Sequence, residues 1–238
     1  MLTAILWGGI AAAALLVGYA LAGRGLSNRS IGMVMGFGAG ALLSAIAYEL
    51  IPESRLGGGG MALAFIIGAL TFFGADWWID HKGGADRKDI TGEQTGSGSA
   101  IFIGTLLDNI PESIILGMGL ALGGAINIAF LVAVFISNLP EGIAGTVNLV
   151  SAGRSRRRVF WMWFTLVLIS AACAGVGYLI IRWLPAADGR YAQAFAAGAM
   201  LTMLADAMMP EAFEHGGKLV GILTVMGFLV AAVLAVTQ

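Results

Sequence analysis

The sequence is poor in the residues that a water-soluble domain depends on. Only 11% of its 238 residues are charged, whereas soluble domains contain about 25%. Charged side chains therefore cannot cover a surface that faces water, which favours lipid as the solvent. A single cysteine, Cys173, excludes an internal disulfide and a four-cysteine metal site. The alternating pattern of a β-barrel is also lacking, so helices are the remaining way to span a membrane.

Long apolar runs fill most of the chain. Hydrophobic residues make up 58% of it, and mean hydropathy is +0.88. A membrane-spanning helix needs about 20 mostly apolar residues, and eight runs reach that length. We therefore predict an all-α polytopic membrane protein with a single domain over residues 1–238. The predicted spans cover approximately residues 2–22, 31–52, 59–80, 100–122, 126–150, 159–184, 190–213 and 217–237.

Basic residues in the loops set the predicted orientation. If each run crosses once, ten Lys and Arg side chains lie on one side of the membrane and three on the other. The side with more basic residues is usually cytoplasmic. We therefore expect both termini outside and the Gly-, Ser- and charge-rich loop 82–99 in the cytoplasm. A short chain without a targeting element also fits a bacterial inner membrane.

One short motif occurs twice, in two adjacent spans. The stretch 106–113 reads Leu-Leu-Asp-Asn-Ile-Pro-Glu-Ser, and 135–142 reads Phe-Ile-Ser-Asn-Leu-Pro-Glu-Gly. Both contain Asn, an apolar residue, Pro and Glu in that order. Ionisable groups at membrane depth are costly, and they are usually functional or paired. Two of them in matched positions predict a site between the fourth and fifth spans.

Helical spacing places the polar side chains of each motif on one face. Residues three and four positions apart lie one above the other on a helix. Pro111 and Pro140 each free a backbone carbonyl one turn earlier, which can add an oxygen ligand. Facing carboxylates repel one another unless a divalent cation or a proton lies between them. The six predicted metal ligands are Asp108, Asn109, Glu112, Ser137, Asn138 and Glu141.

A longer internal repeat links the second and seventh spans. Residues 37–53 align without gaps on residues 195–211, with an offset of 158 positions. In both repeats one span is even-numbered and the other odd, so the partners cross the membrane in opposite directions. Inverted repeats of this kind are common in transporters that bind substrate near the midplane. We therefore predict a 3+2+3 inverted-repeat arrangement with the fourth and fifth spans at its centre.

The paired motif and this organisation together carry a family resemblance. The stretches 108–112 and 137–142 resemble the His-Asn-x-Pro-Glu and x-x-x-Pro-Glu-Gly motifs of the ZIP family of divalent-metal transporters. The eight spans, the outward termini, the long third loop and the 3+2+3 plan are also similar to that family. The resemblance covers essentially the whole chain and implies metal transport by alternating access, toward the cytoplasm.

The family's two-metal site carries over residue by residue. The resemblance implies a first metal on Asp108, Glu112, Ser137 and Glu141. It implies a second on Asn109 and Asn138, with the two glutamates bridging. Asp108 stands where the family usually has His, and Ser137 where it has His or Gln. The sixth span has no carboxylate between residues 159 and 181, so a single metal, or a metal beside a proton, is an alternative to two.

Acidic residues near the ends of the second and seventh spans suggest an ion path, since such side chains concentrate cations at a mouth. Glu49 and Glu53 form a candidate entrance. For the seventh span, the resemblance associates its inner end with metal release, and the candidate exit residues are Asp206, Glu211 and His215. The methionines of the seventh span are interpreted as flexible packing rather than as ligands for Cu⁺.

The identity of the cation stays open. An all-oxygen ligand set suits Mn²⁺, Fe²⁺ or even Mg²⁺ at least as well as Zn²⁺, whereas the family resemblance favours Zn²⁺ and Fe²⁺. We expect broad selectivity, with Zn²⁺, Fe²⁺, Mn²⁺ or Cd²⁺ as substrate rather than as cofactor. Membrane lipid is the other expected partner, the resemblance allows a homodimer, and nothing indicates nucleic acid.

Two other functions remain open alternatives to a transporter. Paired carboxylates at membrane depth can do acid–base or metal chemistry, so an intramembrane metal-dependent hydrolase is one. The sequence has no His-Glu-x-x-His motif, no Ser/His dyad and no Asp/Asp protease motif, and we expect a protein that is not an enzyme. A metal sensor or a transport-inactive relative is the other, motivated by the missing histidines.

Overall fold

The computed structural model describes residues 1–24, 26–51, 59–84, 98–123, 127–183 and 189–237. These residues form helices and turns and include no strand. Eight helices in them are long and apolar enough to cross a membrane, which confirms the predicted all-α class and the number of spans. In chain order they are α1 (Leu2–Leu21), α2 (Asn28–Leu50), α3 (Gly59–Lys82), α4 (Ser99–Leu122), α5 (Ile128–Ser151), α6 (Arg156–Trp183), α7 (Arg190–Gly216) and α8 (Leu219–Thr237). Most of the predicted cytoplasmic loop, residues 85–97, and the candidate entrance residue Glu53 lie outside the described residues.

Side chains just outside the helices fix several helix ends. The hydroxyl of Ser27 accepts a hydrogen bond from the backbone N–H of Ser30 at the start of α2. The side-chain oxygen of Asn127 accepts one from Phe130 at the start of α5. Both satisfy an N–H that has no partner in the first turn of its helix.

Arg156, the first residue of α6, contacts the C-terminal end of α1. Its guanidinium donates to the carbonyls of Tyr19 at 3.2 Å and Ala22 at 3.0 Å, and it also stacks over the Tyr19 ring. A cation is favourable at a helix C-terminus, where carbonyls lack partners. This contact holds the end of α1 against the start of α6.

Glycine allows the helices to touch backbone to backbone in two matched pairs. A Cβ atom at any of four glycines would overlap a backbone carbonyl of the neighbouring helix, so only glycine fits. The contacts are Gly40 with Thr224 and Gly227 with Phe37 between α2 and α8, and Gly198 with Phe65 and Gly68 with Phe195 between α3 and α7. Each α2 position maps onto α7 with the offset of 158, and each α3 position maps onto α8 with an offset of 159. The internal repeat therefore extends from sequence into packing.

Two wide turns interrupt the repeated helices at equivalent places. Residues Ile46–Leu50 of α2 and Leu204–Met208 of α7 are π-helical, again 158 positions apart. The N–H of Met209 donates to the carbonyl of Leu204, five residues back, where an α-helix would use four. In α7 the π turn ends two residues before Pro210, whose ring excludes the ordinary α-helical carbonyl contact. By contrast, α4 and α5 stay α-helical through Pro111 and Pro140.

A buried tryptophan fixes α6 against α5. Trp163 is fully buried, and its indole N–H donates to the hydroxyl of Thr146 at 2.8 Å. That hydroxyl in turn donates to the carbonyl of Gly142 at 2.6 Å. The tryptophan ring also lies where a side chain at Gly145 would otherwise project. The chain of hydrogen bonds therefore ends on the residue that follows Glu141, and it positions the part of α5 that carries the predicted site.

Candidate metal site

A small cavity lies where α2, α4, α5 and α7 meet. Its volume is about 10 Å³, close to the minimum that one water molecule needs. Three of the six predicted ligands form its polar wall, namely Glu112 from α4 and Ser137 and Glu141 from α5. A hydrated cation does not fit in this volume. A cation that occupied it would therefore lose its water and be coordinated by atoms of the wall.

All six predicted ligands are buried, although they lie in different places. Glu112 and Glu141 are 2% and 7% exposed, which is a costly environment for ionised carboxylates. Asp108, Asn109 and Asn138 are each 1% exposed but lie outside the cavity wall. The structure therefore brings together the glutamate of each copy of the motif and the serine of the second copy.

Local hydrogen bonds explain part of this difference. The amide of Asn109 turns back along α4 and donates to the carbonyl of Thr105 at 3.0 Å. The hydroxyl of Ser137 donates to the carbonyl of Val134 at 2.9 Å, which leaves its oxygen lone pairs available to the cavity.

Asn138 differs from Asn109. Within the described part of the chain its buried side-chain nitrogen has no hydrogen-bond partner. Burial of an unsatisfied amide costs about 1–3 kcal/mol. The opposite orientation of the amide is equally compatible with its shape and presents the oxygen instead, and an oxygen in that position can ligate a cation.

Three methionines complete the wall of the cavity. Met35 comes from α2, and Met203 and Met208 come from α7. All three are at most 3% exposed. Sequence reasoning treated Met203 and Met208 as packing and gave Met35 no role. Spacing by itself does not reveal Met203 and Met208 as a pair, because residues five apart lie on different faces of an α-helix.

The wall combines two carboxylates with neutral donors. Among the described residues, no group of three or more His, Cys, Asp and Glu side chains is arranged to hold a metal. A cation in this cavity must therefore draw its remaining ligands from hydroxyl, amide, thioether or backbone groups. The ligand set is accordingly smaller in charge than three facing carboxylates would be.

Two of the candidate exit residues, Glu211 and His215, contact each other, whereas Asp206 lies apart from them. Nδ1 of His215 lies 3.0 Å from Oε1 of Glu211 and 3.2 Å from the carbonyl of the same residue. This pair lies in the last turns of α7, where Gly216 packs against Gly32 of α2. Asp206 lies in the π turn and is exposed. The pair and Asp206 therefore do not form one cluster with the cavity.

The candidate entrance is described only in part. Glu49 lies in the π turn of α2 and is half-buried. Its side chain does not line the cavity between Glu112 and Glu141.

Two curated proteins show what the chain is similar to. The zinc transporter ZupT of Chlorobium phaeovibrioides is 26% identical over 234 residues, covering 83% of this chain and 82% of that protein. A protein of Arabidopsis thaliana named "Putative zinc transporter" is 28% identical over 196 residues, covering 77% of this chain. The chain spans only 30% of the length of the Arabidopsis protein. No family model matches the chain.

Proposed function

Because the chain belongs to the ZIP family of divalent-metal transporters, we propose that it carries a divalent transition-metal cation across the membrane, toward the cytoplasm, by alternating access. The cation binds between α4 and α5, on Glu112, Glu141 and Ser137. The names of the relatives point to a transporter rather than an enzyme. Zn²⁺, Fe²⁺, Mn²⁺ and Cd²⁺ are the candidate substrates.

The meeting of Glu112, Ser137 and Glu141 on one small cavity carries this proposal. Two buried carboxylates across a narrow space repel each other when both are ionised. A divalent cation between the two carboxylates offsets that repulsion. Its positive charge also compensates the buried negative charge, which is costly without a partner. Asn109, Asn138 and Asp108 lie within one turn of these residues along the same helices. They become ligands when the helices shift and the cation moves along the path.

Metal uptake into proteoliposomes tests the function directly. We expect saturable uptake of at least one of Zn²⁺, Fe²⁺, Mn²⁺, Cd²⁺ and Mg²⁺ by vesicles that contain the purified protein, above that of protein-free vesicles. An ion flux far above the rates of carriers would indicate that the protein is a channel rather than a carrier. Protein that binds a cation but never translocates any would favour the metal-sensor alternative. Metal-dependent turnover of a membrane substrate would favour the hydrolase.

Replacement of Asp108 by histidine is expected to shift uptake toward Zn²⁺. Nitrogen ligands suit Zn²⁺ better than Mn²⁺, whereas carboxylate oxygen suits Mn²⁺. The measurement is the ratio of Zn²⁺ to Mn²⁺ uptake in Asp108→His against the unchanged protein, with Asp108→Asn as a control that keeps an oxygen donor. An unchanged ratio in Asp108→His would argue that Asp108 does not ligate the cation.

A further inference from the structure

The methionines on the cavity wall face the same small space as the two glutamates. We propose that the thioethers of Met35, Met203 and Met208 are ligands for the transported cation. They form a soft half of the site opposite the oxygen ligands and determine its specificity in favour of soft d¹⁰ cations, Cd²⁺ above Zn²⁺ and both above Mn²⁺. This inference rests on the proposed transport function and names its substrate class.

The first reason is the number of available ligands. The cavity of about 10 Å³ leaves no room for a hydrated cation. Its wall is formed by two glutamates, one serine and three methionines, so carboxylate, hydroxyl and thioether groups are its candidate ligands. The described residues offer no third carboxylate or imidazole in the same cluster. A desolvated cation would therefore have a methionine sulfur as one of its neighbours.

The second reason is the π turn in α7. Met203 and Met208 are five residues apart, which in an α-helix places side chains roughly 140° from each other. The π turn Leu204–Met208 closes with a five-residue hydrogen bond, and this brings both side chains to the cavity. π turns inside helices are frequent at functional sites. The backbone of α7 therefore departs from α-helical geometry at the place where it brings these two methionines to the cavity.

The third reason comes from the other copy of the repeat. The equivalent π turn of α2, Ile46–Leu50, has Ala45 and Leu50 at the positions that correspond to Met203 and Met208. Both are buried, at 1% and 2% exposure. The fold thus packs this turn without sulfur in one copy. The methionines of α7 are not required by the packing of the repeat, which supports a chemical role.

Thioether sulfur distinguishes between cations by softness. Soft ligands favour soft and borderline cations, whereas carboxylate and hydroxyl oxygen suit Mn²⁺ and Mg²⁺. Leucine has nearly the same volume as methionine and usually replaces it at a cost below about 1.5 kcal/mol. Met→Leu therefore removes the sulfur and keeps an apolar wall. The substitution distinguishes methionine as a metal ligand from methionine as apolar packing.

The test compares uptake of Cd²⁺ and Mn²⁺ by the full chain in proteoliposomes. The triple variant Met35→Leu, Met203→Leu, Met208→Leu is expected to lower the Cd²⁺-to-Mn²⁺ uptake ratio by about tenfold, because Mn²⁺ gains little from sulfur. The single variants are expected to lower it by smaller factors. Met200→Leu is the matched control, since Met200 is buried in α7 but is not part of the wall. An unchanged ratio in the triple variant overturns the proposal.

X-ray absorption at the Cd edge tests ligation separately from transport. We expect a sulfur shell around Cd²⁺ bound to the unchanged protein and to Met200→Leu, and only light-atom neighbours in the triple variant. Light-atom neighbours alone in the unchanged protein overturn the thioether proposal. Absence of uptake for every cation would instead count against the transport function, and the spectrum would still decide whether the methionines bind.

Discussion

Replacement of Glu112 and Glu141 by glutamine, singly or together, is expected to abolish metal uptake. Each glutamate lines the cavity and is almost fully buried, so a neutral amide would remove a proposed carboxylate ligand where water cannot replace it. The loss should be at least about 100-fold, since even outer-shell partners of a metal are worth about 10- to 100-fold. The double variant should be no worse than either single variant, because both glutamates act on one cation.

Thermal stability separates loss of ligation from loss of fold in these variants. A cation at about 100 times its Kd stabilises the native state by about 2.7 kcal/mol, which corresponds to about 5–10 °C in the unfolding midpoint for a chain of this size. We expect that shift in the unchanged protein and its absence in Glu112→Gln and Glu141→Gln. Their midpoints without metal should stay close to that of the unchanged protein, since glutamine keeps the size of glutamate and one of its side-chain oxygens.

Glu214→Gln is the matched control for the glutamate variants. Glu214 is exposed near the end of α7, so the same change of chemistry there should leave uptake and the metal-induced shift unaltered. Uptake within about twofold of the unchanged protein in both cavity variants would place the ion path elsewhere.

Replacement of Gly117 by alanine is expected to lower thermal stability substantially, although the change adds only one methyl group. A Cβ atom at Gly117 would overlap the carbonyl oxygen of Ala174 on α6. Backbone atoms of two packed helices cannot move apart locally, so α4 and α6 would have to separate. Overpacking of this kind costs about 1–3 kcal/mol, or about 2–12 °C in the midpoint for a chain of this size.

Gly119→Ala is the control on the same helix. No atom lies within 4 Å of a Cβ built at Gly119, and alanine is the better helix former by about 0.8–1.0 kcal/mol. Its midpoint should therefore stay the same or rise slightly. Thermal unfolding of both variants in detergent, followed by tryptophan fluorescence, gives the comparison. Equal midpoints for the two alanine variants would mean that α4 and α6 are not held by this contact.

The proposed ligands were predicted from the sequence because the motif occurs twice. Duplicated carboxylates in apolar runs are too costly to be incidental, and residues three and four apart must share a face of a helix. That reasoning identified Glu112, Ser137 and Glu141, which the cavity brings together. It did not separate them from Asp108, Asn109 and Asn138, because a shared face spans a wide arc. Only the rotation of α4 and α5 against their neighbours decides which part of each arc reaches the cavity.

Met203 and Met208 show a different limit. Their spacing of five places them on different faces of an ideal α-helix, so helical periodicity by itself does not give them a common role. The π turn changes the angle between them, and it forms next to Pro210 inside the packed bundle.

The sequence by itself determined that the chain is all-helical, with eight helices of membrane-spanning length and an acidic motif that occurs in two adjacent spans. It could do so because lipid offers the backbone no hydrogen bonds. An apolar run of about 20 residues must then form a helix, which satisfies its backbone hydrogen bonds internally. The tertiary structure alone decided which side chains meet. How far each helix is rotated depends on contacts such as Gly117 on Ala174 and on the π turns of α2 and α7, and these arise only when distant segments pack against one another.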